Sequence, residues 1–365
     1  MKKILIYIDS MNPAGGIERV IANLTNQWIK KYKVSLIVKD IPEPFYHLDS
    51  DISIISIKNP INLDMYNRFS RITELIKNVI TSHKSLKKNI DNVNPDIIYT
   101  ANPINSLEIM LLGKKYLNKL IISEHGSKFG YNRIYVLLKK IVYPFAYKIS
   151  VPTTLDTESY QQEGYPAIFI PHLSTFKDMK KTDYNNKFIL NIGRLTSDKQ
   201  QIKLLKIWEN IVKENKNGNW QMKIVGCGEE RQKLWSYIKK NNLENTVRIY
   251  DPIKNVNQLF LSSSIFAFTS RHEGFGMVLL EAMSFGVPCI SFDCPSGPRD
   301  IVDDNVNGYL IENMNSEMYK EKLVKLMKDK KLRKKFGENA YIKANNWDNQ
   351  KILNKWDELI TGVNQ

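Results

Sequence analysis

Short β-branched runs alternate along this chain with longer segments whose apolar positions recur every three or four residues, a rhythm that predicts repeated strand–helix–strand units. In the first half, residues 4–8, 34–38, 52–57, 97–99, 120–123 and 149–151 read as strands. Behind the first run and the loop Asn12-Pro13-Ala14-Gly15-Gly16, the residues Ile17, Val20, Ile21, Leu24 and Trp28 make one apolar stripe at helical spacing. After Pro171 the pattern gives way to a polar stretch rich in Lys and Asn at 174–187. Alternation restarts at 188–192 and continues through 222–225, 247–250, 265–269, 288–292 and 309–311. Strands joined by helices build parallel sheets, so the expected architecture is α/β, with two Rossmann-like, doubly wound domains facing a central cleft. The expected bounds are 1–172 for the first domain, 173–187 for a linker and 188–346 for the second domain.

Length agrees with that division, since 365 residues exceed one ordinary core and suit two. No apolar run approaches the roughly 18 residues of a membrane-spanning helix, and Met1-Lys2-Lys3 leads straight into a strand rather than a signal peptide. The cysteines, Cys227, Cys289 and Cys294, lack paired spacing and read as reduced, buried thiols in a cytoplasmic protein. The 53 Lys and Arg outnumber the 38 Asp and Glu by 15, which draws the chain toward a polyanion: nucleic acid, an anionic membrane or a phosphorylated substrate. Basic residues such as Arg68, Arg71, Lys77, Lys84, Lys87 and Lys88 are spread over amphipathic segments instead of gathered in an arm. Both a solvated helix face and a membrane-docking face fit that spread.

In doubly wound sheets ligands sit beyond the carboxyl ends of the strands, so the loops there carry the chemistry. The richest is Arg271-His272-Glu273-Gly274-Phe275-Gly276-Met277-Val278-Leu279-Leu280-Glu281, a glycine-bracketed turn between a strand and a helix. That helix is expected over 276–285, ended by Gly286 and Pro288, with free amides at 276–278 that suit an anion. Glu273 before the helix and Glu281 within it are placed to take hydroxyls of a sugar and a ribose.

With seven residues between them, Glu273 and Glu281 resemble the E-x7-E motif of glycosyltransferase family 4. The likeness runs on through Gly193-Arg194-Leu195-Thr196-Ser197-Asp198-Lys199, Ile224-Val225-Gly226-Cys227-Gly228-Glu229 and Asn307-Gly308-Tyr309-Leu310. Near the start, Gly15-Gly16-Ile17-Glu18 is similar to the family's glycine-rich loop and Ser123-Glu124-His125-Gly126 to its histidine segment. The latter, with Asp293-Cys294-Pro295-Ser296-Gly297-Pro298, is most similar to bacterial enzymes that extend lipid-linked or capsular polysaccharides from UDP-sugars.

The resemblance implies a GT-B fold and retaining, metal-independent transfer of a hexose or N-acetylhexosamine from a nucleotide-diphosphate sugar, a UDP-sugar, to a lipid-linked or polysaccharide acceptor. It implies that Arg194 and Lys199 hold the diphosphate, Glu281 the ribose and Glu273 the sugar, with no metal and no resident cofactor. Gly15, Gly16, Gly193, Gly274, Phe275, Gly276 and Met277 complete the implied donor site, and His125 would hydrogen-bond sugar or acceptor. His125, Glu273, Arg194 and Lys199 form the implied catalytic set. Gly15 and Gly16 serve either a tight turn or a close backbone approach. Residues 347–365, with Trp347 and Trp356, would form a C-terminal helix packing back toward the N-terminal domain.

Some positions depart from the family. Its E-K-G is Asp198-Lys199-Gln200 here, and Asp251-Pro252 stands where relatives often carry glycine near the base. Asp49-Ser50-Asp51 has the spacing of a metal-binding D-x-D but falls in a polar lead-in to a strand, where a solvated turn is expected. A nicotinamide-dependent oxidoreductase is disfavoured because no G-x-G-x-x-G follows residues 4–8 or 188–192, and a nucleic-acid binder because no reading module is present. A sugar-nucleotide epimerase of similar architecture is the nearest rival. For a cytoplasmic enzyme with a lipid-linked acceptor, the segments 67–91 and 131–148, both expected to be helical, are the expected peripheral contacts with the inner membrane leaflet. Lys84, Lys87, Lys139 and Lys140 are the cations expected to meet it.

Overall fold

The structure is a computed structural model that describes residues 1–61 and 68–364, with side chains described for all of these except 68–72 and 364. Two compact units emerge, one of residues 1–125, 131–173 and 350–365, the other of residues 126–130 and 174–349.

The first unit runs β1 (Lys3–Ile8), α1 (Gly16–Trp28), β2 (Lys33–Val38), β3 (Ser53–Ser56), α2 (Arg68–Val93), β4 (Ile97–Thr100), α3 (Pro103–Leu111), α4 (Lys114–Leu117), β5 (Leu120–Ser123), α5 (Arg133–Val142), β6 (Lys148–Val151), α6 (Thr154–Gln162) and β7 (Ala167–Phe169). Its strands make a seven-stranded sheet in the order β3-β2-β1-β4-β5-β6-β7, with every pairing parallel. Central strands β1, β4 and β5 are buried almost throughout, which is why their sequences are apolar runs instead of alternations.

In the second unit come β8 (Phe188–Ile192), α7 (Gln201–Lys213), β9 (Gln221–Val225), α8 (Arg231–Lys240), β10 (Val247–Tyr250), α9 (Asn257–Leu261), β11 (Ile265–Phe268), α10 (Met277–Ser284), β12 (Cys289–Asp293), α11 (Pro298–Ile301), β13 (Gly308–Glu312), α12 (Ser316–Lys328) and α13 (Lys330–Asn345). Its parallel sheet is six-stranded, β10-β9-β8-β11-β12-β13. The inner strands feed two cores: Ile265 and Ala267 of β11 join Ile189 and Ile224 on one face, while Phe266 and Phe268 join Leu190 and Val225 on the other. The stretch after Ser174 belongs to this unit, where buried Thr182 donates to the Ser263 carbonyl at 2.8 Å.

The chain ends in α14 (Asn349–Thr361), most of which lies in the first unit. There Trp356 meets Trp28 edge-on at 5.2 Å, and Asp357 takes Lys31 and the Tyr32 hydroxyl, each at 2.6 Å. Trp347, in the second unit, packs edge-on against Phe275 at 5.7 Å. The expected strands all form, with ends moved by a residue or two, and the structure adds β7 at the sheet edge. The segment 131–148 is not one helix: Pro144 has no amide to donate, and the chain passes from α5 through a 3-10 turn, Tyr143–Phe145, into β6. Of the segment 67–91, Asn67 lies outside the described residues and the rest lies in α2. No helix among the described residues is long and apolar enough to cross a membrane.

Candidate functional site

In the second sheet, β8 and β11 lie side by side, with β9 and β10 continuing outward from one and β12 and β13 from the other. That pair marks the reversal of strand order where open α/β sheets bind ligands, and the two motif loops leave from it. They are cross-linked. The Arg271 amide donates to the Asp198 carbonyl at 2.8 Å, His272 Nδ1 lies 3.0 Å from Asp198 Oδ1, and Thr269 Oγ1 donates to the Lys199 carbonyl at 3.1 Å. Lys199 and Glu273, one from each loop, form a half-buried ion pair, with the Ser270 hydroxyl donating to the same carboxylate oxygen at 3.2 Å. Arg194 sits in the first loop with its guanidinium exposed and without an ion pair among the described residues. Gln201 Nε2 holds the Arg194 carbonyl at 3.0 Å, which fixes the backbone beneath that side chain.

Gln200 occupies the left-handed region, φ +53°, where glycine is the easier residue. Its side chain compensates. With the amide oriented to satisfy its neighbours, it donates to the Thr269 carbonyl at 3.2 Å and accepts from Arg271 Nε and Nη2 at 3.1 Å. The turn geometry is therefore available to Asp198-Lys199-Gln200 without glycine. Gly226 is needed for a different reason: a Cβ there would lie 2.0 Å from the Gly193 carbonyl oxygen, so only glycine lets the loop after β9 close on the loop after β8.

Gly276, at φ +93°, turns the chain into α10 and, as the N-cap residue, has no side chain with which to cap its first turn. The opening amides of Met277 and Val278 lack carbonyl partners four residues back in a helix, so they present N–H groups to an anion. Gly274, Phe275 and Gly276 are buried and Met277 half-buried, so their contribution is backbone and support. Glu281 is buried one turn further on and accepts from Thr175 Oγ1 at 3.2 Å.

In the first unit the reversal falls between β1 and β4, and a polar network missed in the sequence lies there. Lys39, 1% exposed, contacts Glu108 at 2.9 Å, Asn78 Oδ1 at 2.8 Å and Asp9 Oδ1 at 3.3 Å. Asn105 Nδ2 donates to Asp9 at 2.8 Å and Asn102 Nδ2 at 3.3 Å, leaving the Asp9 carboxylate partly open to solvent. A sequence signal existed, since Asp9 directly follows a strand and Asn102-Pro103 opens a helix after another. Gly15 has an ordinary φ of −98° and Gly16 is not in the left-handed region, so neither is required by a turn conformation. A Cβ on Gly15 would meet only the carboxylate end of the flexible Glu18 side chain, which can move aside, and a Cβ on Gly16 would meet nothing within 4 Å among the described residues.

His125 follows β5, its ring stacked on His172 with centroids 5.2 Å apart and its Nε2 3.3 Å from the Tyr99 hydroxyl. Enclosure of the ring pushes its pKa down to about 3, and burial together with His125 drives His172 well below the usual range. His125 is therefore a neutral hydrogen-bonding group near neutrality. An unfolded imidazole titrates near ~6.5, so below that pH the unfolded chain binds protons that the folded pair refuses. The stability the pair permits is fully present above about pH 6.5 and lost progressively as pH falls toward about 3. Melting at about pH 7.5 and about pH 5 checks this: the wild type loses more on acidification than a His125→Gln, His172→Gln variant. Equal losses would exclude the pair as the cause.

Residues 174–343 match the family model of the glycosyl transferases group 1. An uncharacterized glycosyltransferase of Haemophilus influenzae is 30% identical over 370 residues, covering 99% of this chain and 100% of its own length. The chain belongs to the group 1 glycosyl transferases. The amylovoran biosynthesis glycosyltransferase AmsD of Erwinia amylovora is 29% identical to this glycosyltransferase over 374 residues, covering 99% of one and 100% of the other. A crystal structure of an S. aureus TarM mutant, in complex with fondaparinux, alpha-GlcNAc-glycerol and UDP, matches at TM-score 0.81 and 16% identity over 99% of this chain and 100% of that one. The fold is GT-B, two Rossmann-like parallel-sheet domains.

Two expectations about this glycosyltransferase need correction. Cys227 is exposed, not buried, because the loop after β9 turns its backbone inward, where its carbonyl accepts from the Leu195 amide at 2.8 Å; Cys289 and Cys294 are buried. Lys139 is not a surface cation: it is 5% exposed and paired at 2.9 Å with Glu124, itself 2% exposed. Lys87, on α2, keeps an exposed side chain and pairs at the surface with Asp91 at 2.6 Å. Asp49 and Asp51 form an exposed turn in which the Asp49 carboxylate accepts the Asp51 amide at 3.0 Å. Asp251, after β10, reaches Arg231 at 2.9 Å.

Proposed function

We propose that this glycosyltransferase transfers a hexose or N-acetylhexosamine from a UDP-sugar to a lipid-linked or polysaccharide acceptor of a bacterial surface glycan, with retention and without a metal or resident cofactor. The observation that carries the proposal is the meeting of Lys199 with Glu273 from two separate loops, beside an Arg194 that has no ion-pair partner among the described residues. In this reading Arg194, Lys199 and the α10 amides take the diphosphate, Glu281 the ribose and Glu273 the transferred sugar. Gly226 lets the loop after β9 close on the backbone of Gly193, and Gly274, Phe275, Gly276 and Met277 shape the turn that presents the amides. The amylovoran role in the name of AmsD and the UDP bound in the TarM complex support the acceptor class and the donor.

The chemistry follows from charge. As the acceptor hydroxyl oxygen bonds to the anomeric carbon, the bond from that carbon to the diphosphate breaks, and the acceptor proton passes to a donor phosphate oxygen. Negative charge grows on the leaving group, and fixed cations with aimed amides stabilise it more at the transition state than before. On the first unit, Asp9 and neutral His125 offer an acceptor and a hydrogen-bonding ring for sugar hydroxyls, and the open space before Gly16 admits a ligand close to the backbone. Nucleic acid has no part in this reading.

Incubation with a panel of UDP-, GDP- and ADP-sugars tests the donor. Stabilisation of the fold and slow release of UDP, read by mass spectrometry, are expected with UDP-sugars. Response to none of them, or donor conversion to an epimer without acceptor, would overturn the proposal.

A further inference from the structure

The outward face of α5 is apolar. Along this helix Ile134, Leu137 and Ile141 are 54%, 59% and 41% exposed, and at 3.6 residues per turn they share one stripe. Val136 and, in the turn beyond, Phe145 are exposed as well. The inward face holds Val142 and the paired Lys139. A soluble surface helix ordinarily carries these residue types the other way round.

The charges beside the stripe share one sign. Arg133 and Lys140, seven residues apart and so on one line of the helix, are both exposed and border the apolar row. From 126 to 148 the chain has Lys128, Arg133, Lys139, Lys140 and Lys148 and no acidic residue. Lys139, the one cation facing inward, is neutralised by Glu124, so what the helix shows to its surroundings is apolar side chains with a cationic border. An apolar row with cations along its edge complements an interface that is hydrocarbon below and anionic above.

We infer that α5, through Ile134, Leu137, Ile141 and Phe145 with Arg133 and Lys140, is the face on which this protein docks onto an anionic lipid membrane. It lies in the interface plane, since ten residues rise only about 15 Å and cannot span a bilayer. The apolar stripe, more than the scattered lysines of α2, supplies the anchor. This inference does not depend on which nucleotide sugar is the donor.

Sedimentation with phosphatidylglycerol–phosphatidylcholine vesicles, without sugar nucleotide, tests it. The full chain is expected to bind these vesicles, to bind phosphatidylcholine alone weakly, and to be released by salt. Leu137→Ser with Ile141→Ser should weaken vesicle binding by roughly tenfold or more, given the area each side chain buries, with thermal melting unchanged. Arg133→Gln with Lys140→Gln should reduce binding to the anionic vesicles alone. Wild-type protein that stays in solution, or a folded Leu137→Ser, Ile141→Ser variant that binds as wild type does, overturns the inference. So does a wild-type dimer that this variant converts to monomer, because the stripe would then be covered by a second copy.

Discussion

Lys199→Ala is expected to lower turnover by roughly tenfold to several hundredfold while the chain remains folded, since a charge-assisted hydrogen bond contributes ~1.5–3 kcal/mol and each ~1.4 kcal/mol is a decade in rate. Two effects act together. On the proposed roles, the substitution removes a cation from the leaving diphosphate; it also leaves the Glu273 carboxylate with only Ser270 among the donors described above, so that side chain is held less firmly. Arg194→Ala separates them. Arg194 is exposed and makes no ion pair among the described residues, so its loss changes stability little and reports the leaving-group interaction alone. Steady-state rates with a UDP-sugar, beside thermal melts, are the check; near-native turnover in both folded variants would remove these cations from the site.

Lys139→Ala is expected to cost about 3–5 kcal/mol of stability, the usual result of breaking a buried pair from one side. Glu124 receives Lys139 at 2.9 Å, the Tyr131 hydroxyl at 3.1 Å and the Tyr143 hydroxyl, and Lys139 also donates to the Tyr160 hydroxyl at 2.7 Å. Removing the ammonium strands a carboxylate that water does not reach. Lys140→Ala, one residue along and exposed, should stay within about 0.5 kcal/mol of wild type. Urea unfolding of the two variants side by side decides: equal midpoints would mean that the buried cluster contributes nothing.

Periodicity and turn chemistry made most of the architecture legible, because a strand buried on both faces must be an apolar run and a helix against a sheet must show a stripe. The restart at Phe188 and the loops around Lys199 and Glu273 were visible for the same reason: they stand directly after such runs. What stayed hidden depends on contacts far apart in sequence. Ala167–Phe169 is too short for a pattern, and only pairing with β6 makes it a strand. Lys39 and Lys139 look like surface charges until Glu108 and Glu124, 69 and 15 residues away, arrive beside them. In α5 the apolar spacing is helical, but nothing local says that the stripe faces outward while a lysine faces in.

The central claim is that the cations and amides of the β8 and β11 loops neutralise a nucleotide diphosphate. A crystal structure with UDP measures this directly. The pyrophosphate is expected within hydrogen-bonding distance of Arg194, Lys199 and the first α10 amides, with the ribose hydroxyls on Glu281. UDP bound elsewhere on the protein, with Lys199 still closed on Glu273 alone, would contradict it.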